Sequence, residues 1–202
     1  MYIHINSHFA IGVIIASLFN PLFNFDLLEF LLIVFASFLN DFDVFFSKYA
    51  KDHNHRNLIT HSIIPSIVLI ILGIVFYWPA LFISGFAYFI HIVVDTFDWG
   101  TNFFYFPQRT FGLRLLIKNE EENLSEHLSQ YNNPESFFDF KYYNNKISLA
   151  VEVILFVVMI ITIIFFALEF MFIIFFYFLG LYFHLARHFR LKKIEKEKEN
   201  QE

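Results

Sequence analysis

Apolar runs alternate with short polar breaks along most of the chain, and the run lengths set the expected architecture. The first run, Phe9 to Phe19, is too short for the ~20 residues that a bilayer-crossing helix needs. It reaches that length only by taking in Tyr2 to Ser7 and Pro21 to Phe25, and with them His4, Asn6 and His8. Asn20-Pro21 is expected to break it. The second run, Leu27 to Leu39, continues through Val44-Phe45-Phe46 but is interrupted by Asp41 and Asp43. Ser62 to Trp78 reads as a third apolar helix, and Trp78-Pro79 as a tight turn into a fourth, Ala80 to about Trp99, with aromatic residues placed as at a membrane interface. From Gly100 to Lys146 the chain turns polar. Asn119 to Glu126 is acidic, Tyr131-Asn132-Asn133-Pro134 signals a turn, and Leu113 to Lys118 is the piece best suited to lie on a membrane surface. Two further spans, Ile147 to Leu168 and Phe170 to about Leu185, follow with almost no linker.

The pattern predicts an all-α, polytopic integral membrane bundle of about six helices. Residues 1–99 form a four-helix membrane core, 100–146 a partly amphipathic connector, 147–189 a C-terminal membrane hairpin and 190–202 a charged tail. Composition agrees: hydrophobic residues make up 57% and charged residues 16% of the 202, and the mean hydropathy of +0.56 lies above the range of soluble domains. The N-terminus lacks a basic stretch and a small-residue cleavage site, so no cleavable signal peptide is expected.

Charge adds an orientation. With the spans laid out as three hairpins and both termini on one side, every Lys and Arg falls on that side. The turns near Pro21, Pro79 and Glu169 on the other side have none. The positive-inside rule then puts the termini and both long connectors in the cytoplasm of a protein in the cytoplasmic (inner) membrane. The net charge of −5 argues against a nucleic-acid partner. Membrane lipids are the expected surroundings, and nothing in the pattern fixes an oligomeric state.

The candidate chemistry sits in the polar breaks. With no Cys, disulfides and thiolate ligands are excluded, so a transition-metal site must use imidazole and carboxylate. His8 precedes the first helix, Asp41 and Asp43 end the second, His61 opens the third, and His91 and Asp95 close the fourth. The hairpin layout brings all six to one face, as a metal site between bundled helices requires. His91 and Asp95 stand four apart and share a helical face, where they can bind one ion or each other. Asp41 and Asp43 read either as ligands or as a helix stop at the interface. His55-Arg56 and Thr60-His61-Ser62 place imidazoles beside a fixed cation suited to phosphate or carboxylate, with Thr60 or Ser62 capping the third helix. Gly12, on the face of His8, would let another helix approach. His4 and His53 read as bystanders and His127 as solvated. His184 and His188, beside Arg187 and Arg190, read as interfacial and headgroup-binding.

The order of these motifs resembles the YdjM-type family of membrane-bound metal-dependent hydrolases: His before an apolar helix with Gly, Asp-x-Asp, His-Arg, Thr-His-Ser, then His-x-x-x-Asp. The likeness covers roughly Ile3 to Pro107. It falls on His8, Asp41, Asp43, His55, Arg56, His61, Ser62, His91 and Asp95, and extends through Asp95-Thr96-Phe97-Asp98-Trp99-Gly100-Thr101 to Phe106-Pro107. This chain departs from the family in three places. It has Leu39-Asn40-Asp41 where Leu-Pro-Asp is common, Asn57 in place of Gly, and one extra residue before Thr-His-Ser. The resemblance implies a divalent metal, zinc favoured, held by His8, Asp41, Asp43, His61, His91 and Asp95 as ligands or their supports. It gives His55 a ligand or proton-transfer role, and Arg56 the steadying of an anionic substrate. A remoter likeness, to helical zinc-dependent phospholipases C and nucleases, suggests by analogy a phosphoester or phospholipid substrate at the inner face. The competing class is a non-enzymatic membrane protein, a transporter or a metal-stabilised scaffold, in which the same polar residues line a pathway or hold the fold. Glu152, inside a late span, keeps the transporter reading open.

Overall fold

The computed structural model describes residues 5–50, 54–106, 111–116 and 123–199. Of the positions singled out above, Tyr2, Ile3, His4, His53, Pro107, Lys118 and 119–122 lie outside them, as do Lys51 and Arg109 among the basic residues that set the orientation.

Among the described residues every regular element is a helix, and the one β pairing is an isolated bridge between Thr101 and Phe111. Eight α-helices run in the order α1 (Ile5–Phe23), α2 (Leu27–Ala36), α3 (Ile63–Val75), α4 (Pro79–Asp98), α5 (Leu124–Ser129), α6 (Pro134–Asn144), α7 (Lys146–Phe166) and α8 (Ile174–Glu199). Between α2 and α3 the chain tightens into 3-10 turns at Leu39–Tyr49, His55–Asn57 and Ile59–His61. Four helical stretches are long and apolar enough to cross a membrane, at Ile5–Phe23, Pro79–Phe97, Lys146–Phe166 and Leu168–Glu197. A fifth is reached if α2 and the following 3-10 segment, bent by 46°, count as one span. Among the described residues, four or five spans are thus found where about six were expected. α2 has 10 residues and α3 has 13, about 15 and 20 Å at 1.5 Å per residue, against a hydrocarbon core of ~30 Å.

Local chemistry sets the ends. Pro21 lies inside the last turn of α1 and does not break it. The stop comes at Asn24, whose positive φ of 51° lets its N–H return to the Asn20 carbonyl. Asp26 and Glu29 form a reciprocal capping box at the start of α2. Ser62 caps α3, accepting from the Ile64 N–H, and Pro79 opens α4, where its missing N–H costs nothing.

α1 is the central element and packs against α2, α4, α7 and α8. Its buried Ala10, Val13 and Ala16 join Phe30, Ile33, Ala87, Met159, Ile163 and Ile173 in one core. The antiparallel order puts the N-terminal ends of α1, α3 and α7 and the C-terminal ends of α2 and α4 together. At the far end, Asn20 donates to the Phe166 carbonyl and to Glu169, and Trp78 donates to Glu29. The outer faces of α7 and α8 stay apolar and bare: Phe165 is 74% and Phe175 66% exposed. Such faces are at home in lipid.

The connector wraps the polar end. Residues 113–116 do not form a surface helix. They fold back on the end of α4, where the Leu113 and Leu115 N–H groups donate to the Thr96 and Phe97 carbonyls and Leu116 packs with Trp99. α6 lies on the extension of α8. Glu195 accepts from the Asn132 and Asn133 N–H groups and the Ser136 hydroxyl. His188 is buried, not headgroup-binding: its Nδ1–H donates to Asp139 at 2.5 Å.

Candidate metal centre

Every residue expected in the site arrives at one place, and each is buried: His8, Asp41, Asp43, His55, Arg56, His61, His91 and Asp95 are all at most 9% exposed. The hub is Asp95, fully buried on α4. Its Oδ2 lies 3.3 Å from His61 Nε2 and 3.5 Å from His91 Nε2. Its Oδ1 lies 3.5 Å from His8 Nε2 and 3.4 Å from the Arg56 guanidinium. Asp41 Oδ1 approaches His91 Nε2 at 3.9 Å. The His8 ring stacks on His91 with centroids 3.8 Å apart.

The two central imidazoles are oriented from behind. His91 Nδ1–H donates to the Ser37 carbonyl at 2.7 Å. His61 Nδ1–H donates to Asp43 Oδ2 at 2.6 Å. Both rings therefore turn a bare Nε2 toward Asp95. Ligating histidines are typically held this way, with the second nitrogen fixed by a carbonyl or carboxylate. The supports are themselves supported. Ser37 donates its hydroxyl to the carbonyls of Val34 and His8, Thr60 donates to Asp43, and Thr101 donates to the His61 carbonyl. Gly12 makes room for Ser37, since a Cβ there would run into the serine side chain. Ser37 was not among the residues singled out in the sequence, because a lone hydroxyl in an apolar run gives no periodic signal; Thr60 and Thr101 were noted in motifs but not as supports of Asp43 and His61.

Arg56 is spent inside the protein. It donates to the Gly100 carbonyl at 3.0 Å and faces Asp95, which places it as a counter-charge and clamp on the loop 100–106. His55 lies edge-on to His61, centroids 5.1 Å apart. Burial, then the neighbouring His61 and Arg56, push its pKa down to about 2, so the ring is neutral and a lone pair is available. Burial also disfavours the charged form of His61, but the hydrogen bond it donates to Asp43 and the nearby Asp95 carboxylate outweigh it and raise its pKa to about 9.

Three overlapping groups bring ligand atoms within 4.8 Å of one another: His8, His91 and Asp95; Asp41, His61 and His91; Asp43, His55 and His61. They could hold a metal ion. Buried atoms without a hydrogen-bond partner converge on the same spot: both His8 ring nitrogens, Asp41 Oδ2, the Nε2 atoms of His61 and His91, and Asp95 Oδ2. Asn40, next to Asp41, has both amide atoms in the same condition. Buried polar atoms left bare in this number are costly.

The fold and site together define a helical membrane protein with a buried His/Asp cluster at one end of its bundle. The sequence profile of the YdjM inner membrane protein family matches residues 3–186, and the chain belongs to that family. The match reaches well beyond Pro107, through α7 and most of α8's apolar part. No curated protein and no solved structure matches.

Proposed function

We propose that the cluster is a divalent-metal centre, and that the protein is a membrane-bound metal-dependent hydrolase acting on a phosphoester or phospholipid-type substrate at the inner face. The observation that carries the metal reading is the spacing around Asp95. Separations of 3.3, 3.5 and 3.5 Å between its oxygens and three imidazole nitrogens exceed the usual ~2.7–3.2 Å hydrogen bond. They match the roughly 3.3 Å between ligands each about 2.0 Å from a tetrahedral zinc ion. Charge points the same way. Once the imidazoles are neutral, as ligation requires, three buried carboxylates and the one guanidinium paired with Asp95 leave two negative charges for a divalent cation to neutralise. With nitrogen and oxygen donors and no sulfur, zinc fits the set.

His8, His61, His91 and Asp95 would hold the ion, with Asp41 closing the shell. Asp43 and Ser37 fix the imidazoles, Arg56 balances Asp95, and His55 offers a neutral ring beside His61. When bound, the ion supplies Lewis-acid polarisation of a phosphoryl oxygen and acidifies water for attack. The Lys and Arg residues support the orientation: Lys48, Arg56, Lys141, Lys146, Arg187 and Arg190 all sit at the site's end of the bundle, and the turns at the far end carry no such residue. That end would then face the cytoplasm.

Elemental analysis of the detergent-purified protein, beside His61→Ala and Asp95→Ala, tests the reading. Stoichiometric zinc or another divalent ion, lost in both variants along with phosphoesterase activity, is the expected result. A metal-free wild type prepared without chelator would replace this reading with a polar network in a scaffold or transporter. Metal retained with no turnover on phosphoesters would leave a metal-stabilised scaffold.

A further inference from the structure

A centre this buried needs an entrance, and the structure assigns one. Among the described residues, a cleft of about 480 Å3 between α1, α4, α7 and residues 115–116 ends against His8. Its size falls in the ~300–1,000 Å3 range of small-molecule sites. We propose that this cleft takes one hydrocarbon chain of a phosphate-bearing membrane lipid, entering sideways from the bilayer with its phosphate toward His8. The proposal rests on the hydrolase reading above and names its substrate as a lipid, in preference to a soluble phosphoester.

Three observations carry it. First, the cleft is graded along its length. Ser7, Tyr142, Asn145 and Ser148 line it near the ends of α1 and α7, and Val151 and Leu155 line it deeper along α7. Ile147, Ser148, Val151 and Leu155 share one helical face, and the eight steps from Ile147 to Leu155 rise about 12 Å at 1.5 Å per residue. A chain laid along them runs into the hydrocarbon layer while its head stays at the polar end.

Second, the cleft is bordered by apolar side chains that stand on the outer surface of the bundle, as a lipid-side entrance requires. Val151, a turn into α7, is 48% exposed and Phe97, in the last turn of α4, is 47% exposed, whereas the eight residues of the cluster are at most 9% exposed. Third, the cleft reaches the proposed metal centre through His8, which is one of its lining residues. His8 is 1% exposed, both its ring nitrogens lack a hydrogen bond, and it lines the cleft while its other face stacks on His91. An apolar ligand site with few convergent polar groups has this form.

The probe is phosphatidic acid carrying a diazirine at the end of one acyl chain, in phosphatidylcholine vesicles holding the full-length protein. After photolysis, adducts are mapped by peptide mass spectrometry and metal is measured in the same sample. Adducts should concentrate on Val94, Phe97, Val151 and Leu155 by about tenfold over Phe165 and Phe175, a factor worth ~1.4 kcal/mol of preference. Unlabelled phosphatidic acid should displace the probe; diacylglycerol and inorganic phosphate should not. Val151→Trp, which fills the cleft from a half-exposed position, should remove the enrichment with metal content unchanged, and Ser148→Phe should do the same from the polar end.

Adducts spread evenly over α7 and α8 would overturn the proposal, as would enrichment that survives both variants. Displacement by inorganic phosphate would show that the head group alone is held, and displacement by diacylglycerol that phosphate is not read; either ends the proposal. Failure of the underlying reading looks different: enriched labelling on a protein that holds no metal keeps the lipid cleft and removes the hydrolase. Metal present without enrichment does the reverse.

Discussion

The site's geometry is set partly by a glycine that touches none of its ligands. Gly12→Ala places a Cβ against the Ser37 hydroxyl, 2.8 Å from Ser37 Cβ and 3.0 Å from Val34 Cα. Carbon contacts relax at about 3.5 Å, so α1 and α2 must part by roughly 0.5–0.7 Å. Ser37 moves with α2. Its hydroxyl bond to the His8 carbonyl, now 2.8 Å, and its carbonyl's bond from His91 Nδ1–H, now 2.7 Å, would both stretch toward or past the limit of a useful hydrogen bond. Two of the proposed ligands, His8 and His91, lose their orientation together. Losing such a support weakens metal binding ~10–100-fold, about 1.4–2.7 kcal/mol, beside an overpacking cost of ~1–3 kcal/mol in stability.

The assay is competition for zinc against a chromophoric chelator, run beside thermal unfolding in detergent. Gly85→Ala is the control. Its Cβ would meet the Ile70 amide nitrogen at 2.8 Å and the Ser66 carbonyl at 3.0 Å, crowding α3 against α4 away from the histidines. Both variants should unfold earlier, and only Gly12→Ala should lose zinc affinity. If the two melt alike and both keep wild-type affinity within a factor of two, the Ser37–His91 bond does not set the ligand geometry.

Asp43→Asn separates support from ligation: with Asp43 behind His61, zinc affinity should fall ~10–100-fold, whereas Asp95→Ala should abolish binding, and equal losses in chelator competition would make Asp43 a ligand. Arg56→Ala strips the buried Asp95 of its cation and should cost about 3–5 kcal/mol in the metal-free protein, less with zinc bound, as read by denaturant unfolding with and without the ion; an equal loss in both states would refute the charge-balance account. For pH, the folded-state pKa of His61 is raised from 6.5 to about 9. The stability its proton provides is therefore fully present below pH 6.5 and lost as pH rises through 9. Metal must displace that proton, so zinc's contribution to the melting temperature should grow across the same window. Melts at pH 6, 7.5 and 9 with and without zinc measure it, and a zinc effect that shrinks with rising pH would contradict the assignment.

How much of this was legible in the chain depended on the kind of signal. Convergence on one end of the bundle followed from counting hairpins, because helix ends alternate whatever the exact span lengths. The His91 to Asp95 pairing followed from the 3.6-residue period. The lengths of α2 and α3 did not, because counting apolar residues cannot tell an α-helix from the 3-10 backbone that takes over at Leu39. That change of backbone also decides the roles of the two acids. At 3.0 residues per turn, positions two apart point about 240° from each other, so Asp41 and Asp43 diverge. One faces His91 and the other backs His61. Had the segment stayed extended, the pair would have shared a face and read as one bidentate clamp. Arg56 shows the converse limit. Its type announced an anion, and the nearest anion is the protein's own Asp95. A guanidinium next to histidines is thus evidence for a negative charge, and only the fold says whose. Here the internal carboxylate claims it, so in the proposed hydrolase recognition of an outside phosphate would fall to the metal and to groups at the cleft's polar end, and loss of the metal would damage substrate binding more than a substituted arginine.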